Sequence, residues 1–172
     1  MRQNSDDHRC WISVIGEAEG LRWILAHNRM AWTVASSRRA ALLAPGDDLV
    51  LYVSRNAFHN PSRDESQLVA LATAHTELKR LKQPMALAGR EFITTTGVRF
   101  SLQLPEREGV AIKPLVPHLS FVRRPEVWGM YFRSGLIEIP EDDFSILKDA
   151  IRESHRKHSA REARSSPPSG VA

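Results

Sequence analysis

The residues best suited to binding chemistry lie in the segment WGMYFRSGLIEIPEDDF (128–144). Trp128 and Tyr131 adjoin Arg133 there, ahead of the alternating residues typical of a strand with one buried face. An aromatic ring beside an arginine can stack on a flat heterocycle while the guanidinium hydrogen-bonds its edge. The segment therefore predicts a surface for an unpaired base. The alternative is that the same aromatics close one end of a barrel.

The polar loop RNAFHNPSRDES (55–66) is a second candidate. Phe58 offers a stacking ring, Asn60 an amide that donates and accepts, and Arg63 and Asp64 offer charge. The alternative is that Phe58 folds back on the protein while Asn60 and Asp64 close turns. Both interpretations remain open on the sequence alone.

Catalytic and metal-binding patterns are not evident. The seven histidines show no ligand spacing, and the single cysteine, Cys10, has no second cysteine with which to form a disulfide or a zinc site of the usual spacing. The acids of PGDD (45–48) are typical of a turn, and no glycine-rich phosphate loop occurs. We therefore predict no catalytic residue, no metal and no cofactor.

The composition of the 172-residue chain, 42% hydrophobic and 26% charged, predicts one globular domain. Residues 1–9, MRQNSDDHR, are polar and are interpreted as an N-terminal extension rather than a signal peptide. No apolar run approaches the length of about 18 residues that a membrane span requires. These features predict a soluble, cytoplasmic protein without a membrane partner.

The positive charge is concentrated at residues 152–172. That stretch has five basic and two acidic residues, so it accounts for +3 of the net charge of +4. It ends in SSPPSGVA, a composition that predicts disorder beyond roughly Ser159. We expect a basic, disordered tail that adds salt-sensitive contacts to phosphates.

The elements that must position the candidate residues are mostly short strands. Helices are predicted at Ala18–His27 and after Pro140, where an acidic first turn precedes an apolar stripe. Strands are predicted at 10–15, 31–34, 49–54, 68–75, 92–95, 98–104 and 110–113. This pattern indicates a small, mostly β barrel with peripheral helices, of the α+β class.

Four segments together resemble the EVE domain, a member of the PUA-like superfamily related to YTH and ASCH domains. They are CWISVI (10–15), PGDDLVLYVS (45–54), IKPLVPHLSF (112–121) and the segment 128–144. The resemblance covers residues 10–151. It implies a PUA-like β pseudobarrel with helices at its openings and a pocket for a flipped or modified base of DNA or RNA.

The resemblance and the candidate segments together define an expected site. Within 128–144, Phe132 and Phe144 are expected to determine the fold, whereas Trp128, Tyr131 and Arg133 are expected to face the pocket. Base-contacting residues are predicted to be Trp11, Trp32, Ser54, Phe58, Asn60, Trp128 and Tyr131. Arginines predicted to contact phosphates or form the pocket wall are Arg38, Arg39, Arg55, Arg63 and Arg133.

Two other functions remain open. ASCH-like relatives suggest a domain that binds or hydrolyses a nucleoside-like small molecule, for which Asp64 and Lys113 are the candidate polar residues. An interaction scaffold without a ligand is the third possibility, and it predicts a pocket filled by the protein's own side chains.

Overall fold

The computed structural model describes residues 8–166. Its strands are β1 (Cys10–Ile15), β2 (Arg29–Trp32), β3 (Asp48–Val53), β4 (Gln67–Ala74), β5 (Lys79–Leu87), β6 (Arg90–Gln103), β7 (Val110–Ala111) and β8 (Leu136–Ile139). Its α-helices are α1 (Ala18–His27), α2 (Val34–Ala40) and α3 (Glu141–Ser165). Short 3₁₀ helices cover Lys113–His118 and Pro125–Phe132. Among the described residues, no helix is both long and apolar enough to cross a membrane.

The strands form one curled sheet in the order β2-β6-β4-β3-β1-β8, with β5 paired to β6 and β7 paired to β4. The β1–β3 pair is parallel, and the other pairs are antiparallel. The long, bent strand β6 joins β2 and β5 to the rest of the sheet. The prediction of a mostly β pseudobarrel with peripheral helices is confirmed.

Both faces of the sheet are buried. In β3, Leu49 and Leu51 belong to one hydrophobic cluster, the inner core, which α1 and α2 cover. Val50 and Tyr52 point the opposite way into a second cluster, the outer core, which α3 and the 3₁₀ helices cover. This two-sided burial explains the uninterrupted apolar run LVLYV, because a strand covered on both faces has no need of polar alternation.

The hairpin of β5 and β6 was not predicted. Most of β5 is exposed, and the strand contains Pro84, so its sequence lacks the apolar signal of a buried strand. Ala88 and Gly89 connect the two strands with φ of 51° and 72°, the left-handed conformations that a two-residue hairpin turn requires. The two predicted strands at 92–95 and 98–104 are one continuous strand, and α2 was also missed.

The predicted disorder of residues 152–172 is wrong for most of that stretch, because α3 continues to Ser165. Glu153 pairs with Arg156 at 2.6 Å and with Lys157 at 3.5 Å, the spacings of three and four residues that stabilise an exposed helix. The basic residues therefore line a projecting helix. Residues 167–172, and residues 1–7 of the predicted N-terminal extension, lie outside the described residues.

Candidate functional site

A small cavity opens where β1 ends and α1 begins, and we call it the aromatic pocket. Its volume is about 90 Å³. The β5–β6 hairpin turn and the residue before β8 complete its walls. Its lining consists of Ser13, Val14, Ile15, Gly16, Glu17, Gly20, Ile24, Met30, Ala31, Trp32, Thr33, Ser36, Ala88, Arg90, Phe92 and Gly135.

Two aromatic residues give the pocket its name. Trp32 ends β2 and is paired in register with Thr94 of β6, so Phe92, two residues before Thr94, projects from the same sheet face. Trp32 is nearly buried at 3% exposure, whereas Phe92 is half-buried. The pair therefore combines a fixed indole with a more accessible phenyl ring.

Polar groups line the pocket beside these rings. The side chains of Ser13, Glu17 and Ser36 all contribute to its wall. The Glu17 carboxylate also lies 3.0 Å from Nε2 of His59, which belongs to the neighbouring loop. A carboxylate and hydroxyls next to aromatic rings can hydrogen-bond the edge of a flat heterocycle.

A second, wider cavity of about 520 Å³ adjoins the aromatic pocket, and we call it the arginine groove. It lies between α2 and the segment before β8, and Arg38, Arg39 and Arg133 line it. Arg39 donates a hydrogen bond to the Leu136 carbonyl at 3.1 Å. Within residues 8–166, none of the three arginines forms an ion pair, so their charges remain available to an anion.

The pocket and the groove meet at Ser36 and Gly135, which line both. A Cβ atom at Gly135 would approach the Ser36 Oγ to 2.7 Å, so glycine allows α2 to lie close to this segment. The Gly135 carbonyl accepts a hydrogen bond from the Val14 amide at 2.9 Å, which ties the junction to β1. The junction between the two cavities is thus anchored to β1.

The structure places Trp11 in the inner core, not in the pocket. Its exposure is 0%, and its indole Nε1 donates a hydrogen bond to Oδ2 of Asp47 at 3.0 Å. Asp47 also accepts hydrogen bonds from the Ala44 and Arg9 amides. Trp11 therefore stabilises the turn at 45–48, because a buried indole N–H needs an acceptor.

Trp128 and Tyr131 are likewise not brought to the pocket. Both pack against the outer core, and we call their surroundings the aromatic cluster: Tyr52, Phe121, Trp128, Tyr131 and Phe132. The Trp128 ring meets Phe132 edge-on at 5.8 Å, and Tyr131 meets Phe121 edge-on at 6.4 Å. Of the three residues expected at the pocket from this segment, Arg133 lines the arginine groove, and Trp128 and Tyr131 line neither the pocket nor the groove. Phe132 and Phe144 are buried, as expected.

The loop at 55–66 lies beside the pocket without lining it. The Phe58 ring packs under the Arg107 guanidinium at 4.6 Å. Asn60 closes the loop, because its carbonyl accepts hydrogen bonds from the Arg63 and Asp64 amides. Phe58 also packs against the inner core, so it folds back on the protein, and Asn60 closes a turn, as the alternative interpretation of this loop had it.

The remaining predicted residues are also outside both cavities. Ser54 donates its backbone N–H to the Ile15 carbonyl, and Arg55 donates its backbone N–H to the Ser66 hydroxyl. Arg63 pairs with Asp64, which Arg107 also contacts at 2.7 Å. Asp64 is thus engaged by two arginines and, with the exposed Lys113, lies away from the pocket lining. The candidate residues for hydrolysis are not assembled there.

The sequence reasoning missed the contribution of the β5–β6 hairpin. Ala88, Arg90 and Phe92 line the pocket, yet only the Ala88–Gly89 turn between two β-type segments could have indicated their position. The hydroxyl of Thr94 beside Trp32 is another feature that no sequence pattern indicates. It is buried with no hydrogen-bond partner among the described residues.

The chain matches no protein-family model. It is 25% identical over 146 residues to a UPF0310 protein of Pyrococcus abyssi, a match that spans 75% of this chain and 98% of that protein. A 36-residue stretch is 47% identical to a UPF0310 protein of Bacillus licheniformis, which covers 21% of this chain and 24% of that protein.

The fold is similar to that of YTH domains. The Mmi1 YTH domain in complex with RNA has a TM-score of 0.62 at 13% identity, covering 90% of this chain and 87% of that one. The YTH domain of Zygosaccharomyces rouxii MRB1, in complex with N6-methyladenosine RNA, has a TM-score of 0.55 at 16% identity, covering 87% and 88%. Likeness at such identity establishes the fold alone. The resemblance to EVE domains stays a prediction.

Proposed function

We propose that the aromatic pocket takes one unpaired base of a nucleic acid and that the arginine groove contacts the phosphates of the same strand. The observation that carries this proposal is the junction at Ser36 and Gly135, where the two cavities meet. A strand with one base in the pocket would have its neighbouring phosphates over three available guanidinium groups. Base contacts would then specify the ligand, and phosphate contacts would position it.

The size of the pocket supports a single flat group. Its volume of about 90 Å³ is well below the roughly 300–1,000 Å³ of sites for drug-sized ligands. Trp32 and Phe92 would contact the faces or edges of the ring, and Glu17 would accept a hydrogen bond from an amino group on it. These contacts favour an extruded base over a bulky metabolite.

The solved structures with similar folds support the same class of ligand. The Mmi1 YTH domain is there in complex with RNA, the MRB1 YTH domain in complex with N6-methyladenosine RNA, and the Pho92 YTH domain in complex with m6A. We extend nucleic-acid binding to this chain by analogy and propose a modified base as its preferred ligand. The protein would act as a binding module, since the residues considered for hydrolysis lie outside the pocket.

The proposal is tested by fluorescence anisotropy with labelled single-stranded RNA and DNA, each unmodified or carrying one N6-methyladenine, at two salt concentrations. The expected result is tighter binding of a modified strand, and a preference that persists at the higher salt. Trp32→Ala should weaken that binding by about 10- to 100-fold, because stacking contributes roughly 1–3 kcal/mol per base. Circular dichroism would verify that the variant is folded.

Trp23→Ala is the matched control, since Trp23 lies on α1, stacks on His27 and does not line the pocket. Its affinity should equal that of the unsubstituted protein. Wild-type affinity in a folded Trp32→Ala variant would overturn the assignment of the pocket. Binding that is equal for all strands and disappears at high salt would instead assign the affinity to the basic surface.

A further inference from the structure

A cluster of three potential metal ligands lies at the other end of β1 from the aromatic pocket. His8 Nε2 is 3.1 Å from Oδ2 of Asp48 and 3.8 Å from Sγ of Cys10. All three ligand atoms lie within 4.8 Å of one another. The parallel pairing of β1 and β3 sets Cys10 directly opposite Asp48, so the sheet itself holds two of the three side chains together.

The hydrogen bonds around the cluster orient its atoms. Nδ1 of His8 is 3.0 Å from the Gly46 carbonyl, which can only accept, so Nδ1 carries a proton. In the neutral imidazole the lone pair of Nε2 then points toward the Asp48 carboxylate. Thr73 donates its hydroxyl to the other carboxylate oxygen, Oδ1, at 3.1 Å, which leaves Oδ2 for His8. Nε2 of His8 and Oδ2 of Asp48 therefore face each other at 3.1 Å, with Sγ of Cys10 beside them.

We propose that His8, Cys10 and Asp48 bind a divalent transition-metal ion, with Zn²⁺ as the best match. Imidazole nitrogen, thiolate sulfur and carboxylate oxygen are the ligands that zinc takes, at about 2.0–2.3 Å. Tetrahedral ligands at those lengths are separated by roughly 3.3–3.7 Å, which is close to the 3.1 and 3.8 Å from His8 Nε2 to Asp48 and Cys10. The His8 side chain is 38% exposed, so water can reach the fourth position.

The surroundings resemble the outer layer of a metal site. The Gly46 carbonyl fixes the imidazole tautomer, and the Thr73 hydroxyl fixes the carboxylate, as partners of metal ligands commonly do. Binding would release the proton of the Cys10 thiol to solvent as the sulfur–metal bond forms.

The site is separate from the proposed base pocket. The five steps of β1 from Cys10 to Ile15 span roughly 17 Å at the rise of an extended strand. An ion there would join the start of β1 to the start of β3. It would stabilise that end of the two strands, near the turn at 45–48. Failure of nucleic-acid binding and failure of metal binding are thus independent results.

The test uses the full chain, treated with a chelator and then titrated with Co²⁺, whose thiolate charge-transfer and tetrahedral d–d absorption bands report the ligands. We expect both bands at one equivalent, their loss on addition of Zn²⁺, and a higher melting temperature with Zn²⁺. Cys10→Ser should abolish the charge-transfer band, and His8→Ala should weaken Zn²⁺ binding by more than about tenfold. His118→Ala is the control, since His118 is exposed and far from β1 in sequence, and it should change nothing.

Thr73→Val is a further variant that leaves all three ligands in place. It should lower Zn²⁺ affinity by about tenfold if Thr73 orients the Asp48 carboxylate around an ion. A folded wild-type protein that shows no charge-transfer band, or a Cys10→Ser variant that keeps it, would overturn the proposal. The cluster would then be a His8–Asp48 ion pair beside a neutral thiol.

Discussion

The aromatic pocket and the aromatic cluster contain similar residues but differ in what covers them. The cluster around Trp128 and Phe132 packs against the outer core beneath α3 and the 3₁₀ helices. Trp32 and Phe92 lie on the other side of the sheet, where α1, α2 and the hairpin leave a cavity. Trp32 is itself 3% exposed within the inner core, whereas Trp128 is half-buried. Residue type and burial are therefore insufficient to identify a binding surface, and the distinguishing feature is the cavity that Trp32 and Phe92 line.

Arg133 connects the two regions. It directly follows the 3₁₀ helix that carries Trp128, Tyr131 and Phe132 of the aromatic cluster, yet it lines the arginine groove. The junction at Gly135, where Ser36 lies close to the backbone, begins two residues later. One short segment thus supplies packing residues to one side of the molecule and a cationic group to the other, and substitutions in it should separate the two roles.

The largest expected effect is the loss of stability in Asp143→Ala. The buried Asp143 carboxylate accepts hydrogen bonds from the Ser120 and Phe121 amides at 2.9 Å and from the Ser120 hydroxyl at 3.0 Å. Because the amides would lose a charged acceptor, the free energy of unfolding should fall by about 3–5 kcal/mol in urea denaturation. The exposed Asp142→Ala should lower it by less than about 1 kcal/mol. Equal effects of the two variants would contradict this interpretation of Asp143.

Trp128→Ala should reduce stability without reducing affinity. The half-buried indole packs on Phe132, so its removal should lower the free energy of unfolding by about 2 kcal/mol, less than for a fully buried tryptophan. At a temperature where the variant is folded, anisotropy should give the wild-type affinity for the oligonucleotide. A weaker affinity in the folded variant would show that the aromatic cluster contributes to binding after all.

Arg133→Gln and Arg38→Gln should each weaken nucleic-acid binding and change its dependence on salt. Since each guanidinium would neutralise one phosphate, the slope of log affinity against log salt should decrease by about one for each variant. Arg63→Gln is the matched control, because Arg63 is paired with Asp64 and lies outside the groove. If Arg63→Gln weakened nucleic-acid binding as much as Arg133→Gln, the arginine groove would not be the surface that contacts the phosphates.

Valine substitutions of two adjacent threonines of β6 should change the free energy of unfolding in opposite directions. The buried Thr94 hydroxyl has no partner among the described residues, so Thr94→Val should raise the free energy of unfolding by about 1 kcal/mol. The Thr95 hydroxyl donates to the Met30 carbonyl at 2.9 Å, and Thr95→Val should lower it by about 1 kcal/mol. Thermal denaturation measures both. A destabilising Thr94→Val would indicate that water or a neighbouring group satisfies that hydroxyl.

Much of the sheet could be predicted from the sequence, because its main strands and turns depend on the residue types within short segments. The strands β1, β3 and β4 are dense in β-branched and apolar residues, and the turn at 45–48 has strong turn chemistry. The hairpin strand β5 was missed because it is exposed and contains Pro84. The helical extension of α3 was missed because an exposed helix has no apolar stripe, and its stability comes from charge pairs instead.

The candidate site was predicted only in part, since its residues come from distant parts of the chain. Trp32, Arg38, Arg39 and Arg133 line the two cavities, whereas Trp11 does not, and their contacts with a ligand stay a prediction. The same limit applies to the proposed metal site. His8 and Cys10 are near neighbours in sequence, but Asp48 joins them only through the pairing of β1 with β3.

The sequence by itself determined the fold class, the main buried strands and the presence of basic and aromatic groups, because these depend on composition and short-range patterns. Only the tertiary structure decided which aromatic residues are covered and which line a cavity. The physical reason is that burial depends on what packs against a side chain, and that neighbour is set by strand pairing over dozens of residues. Trp32 and Trp128 have the same side chain, but the elements around them place Trp32 in the inner core at the wall of a cavity and leave Trp128 half-buried against the outer core.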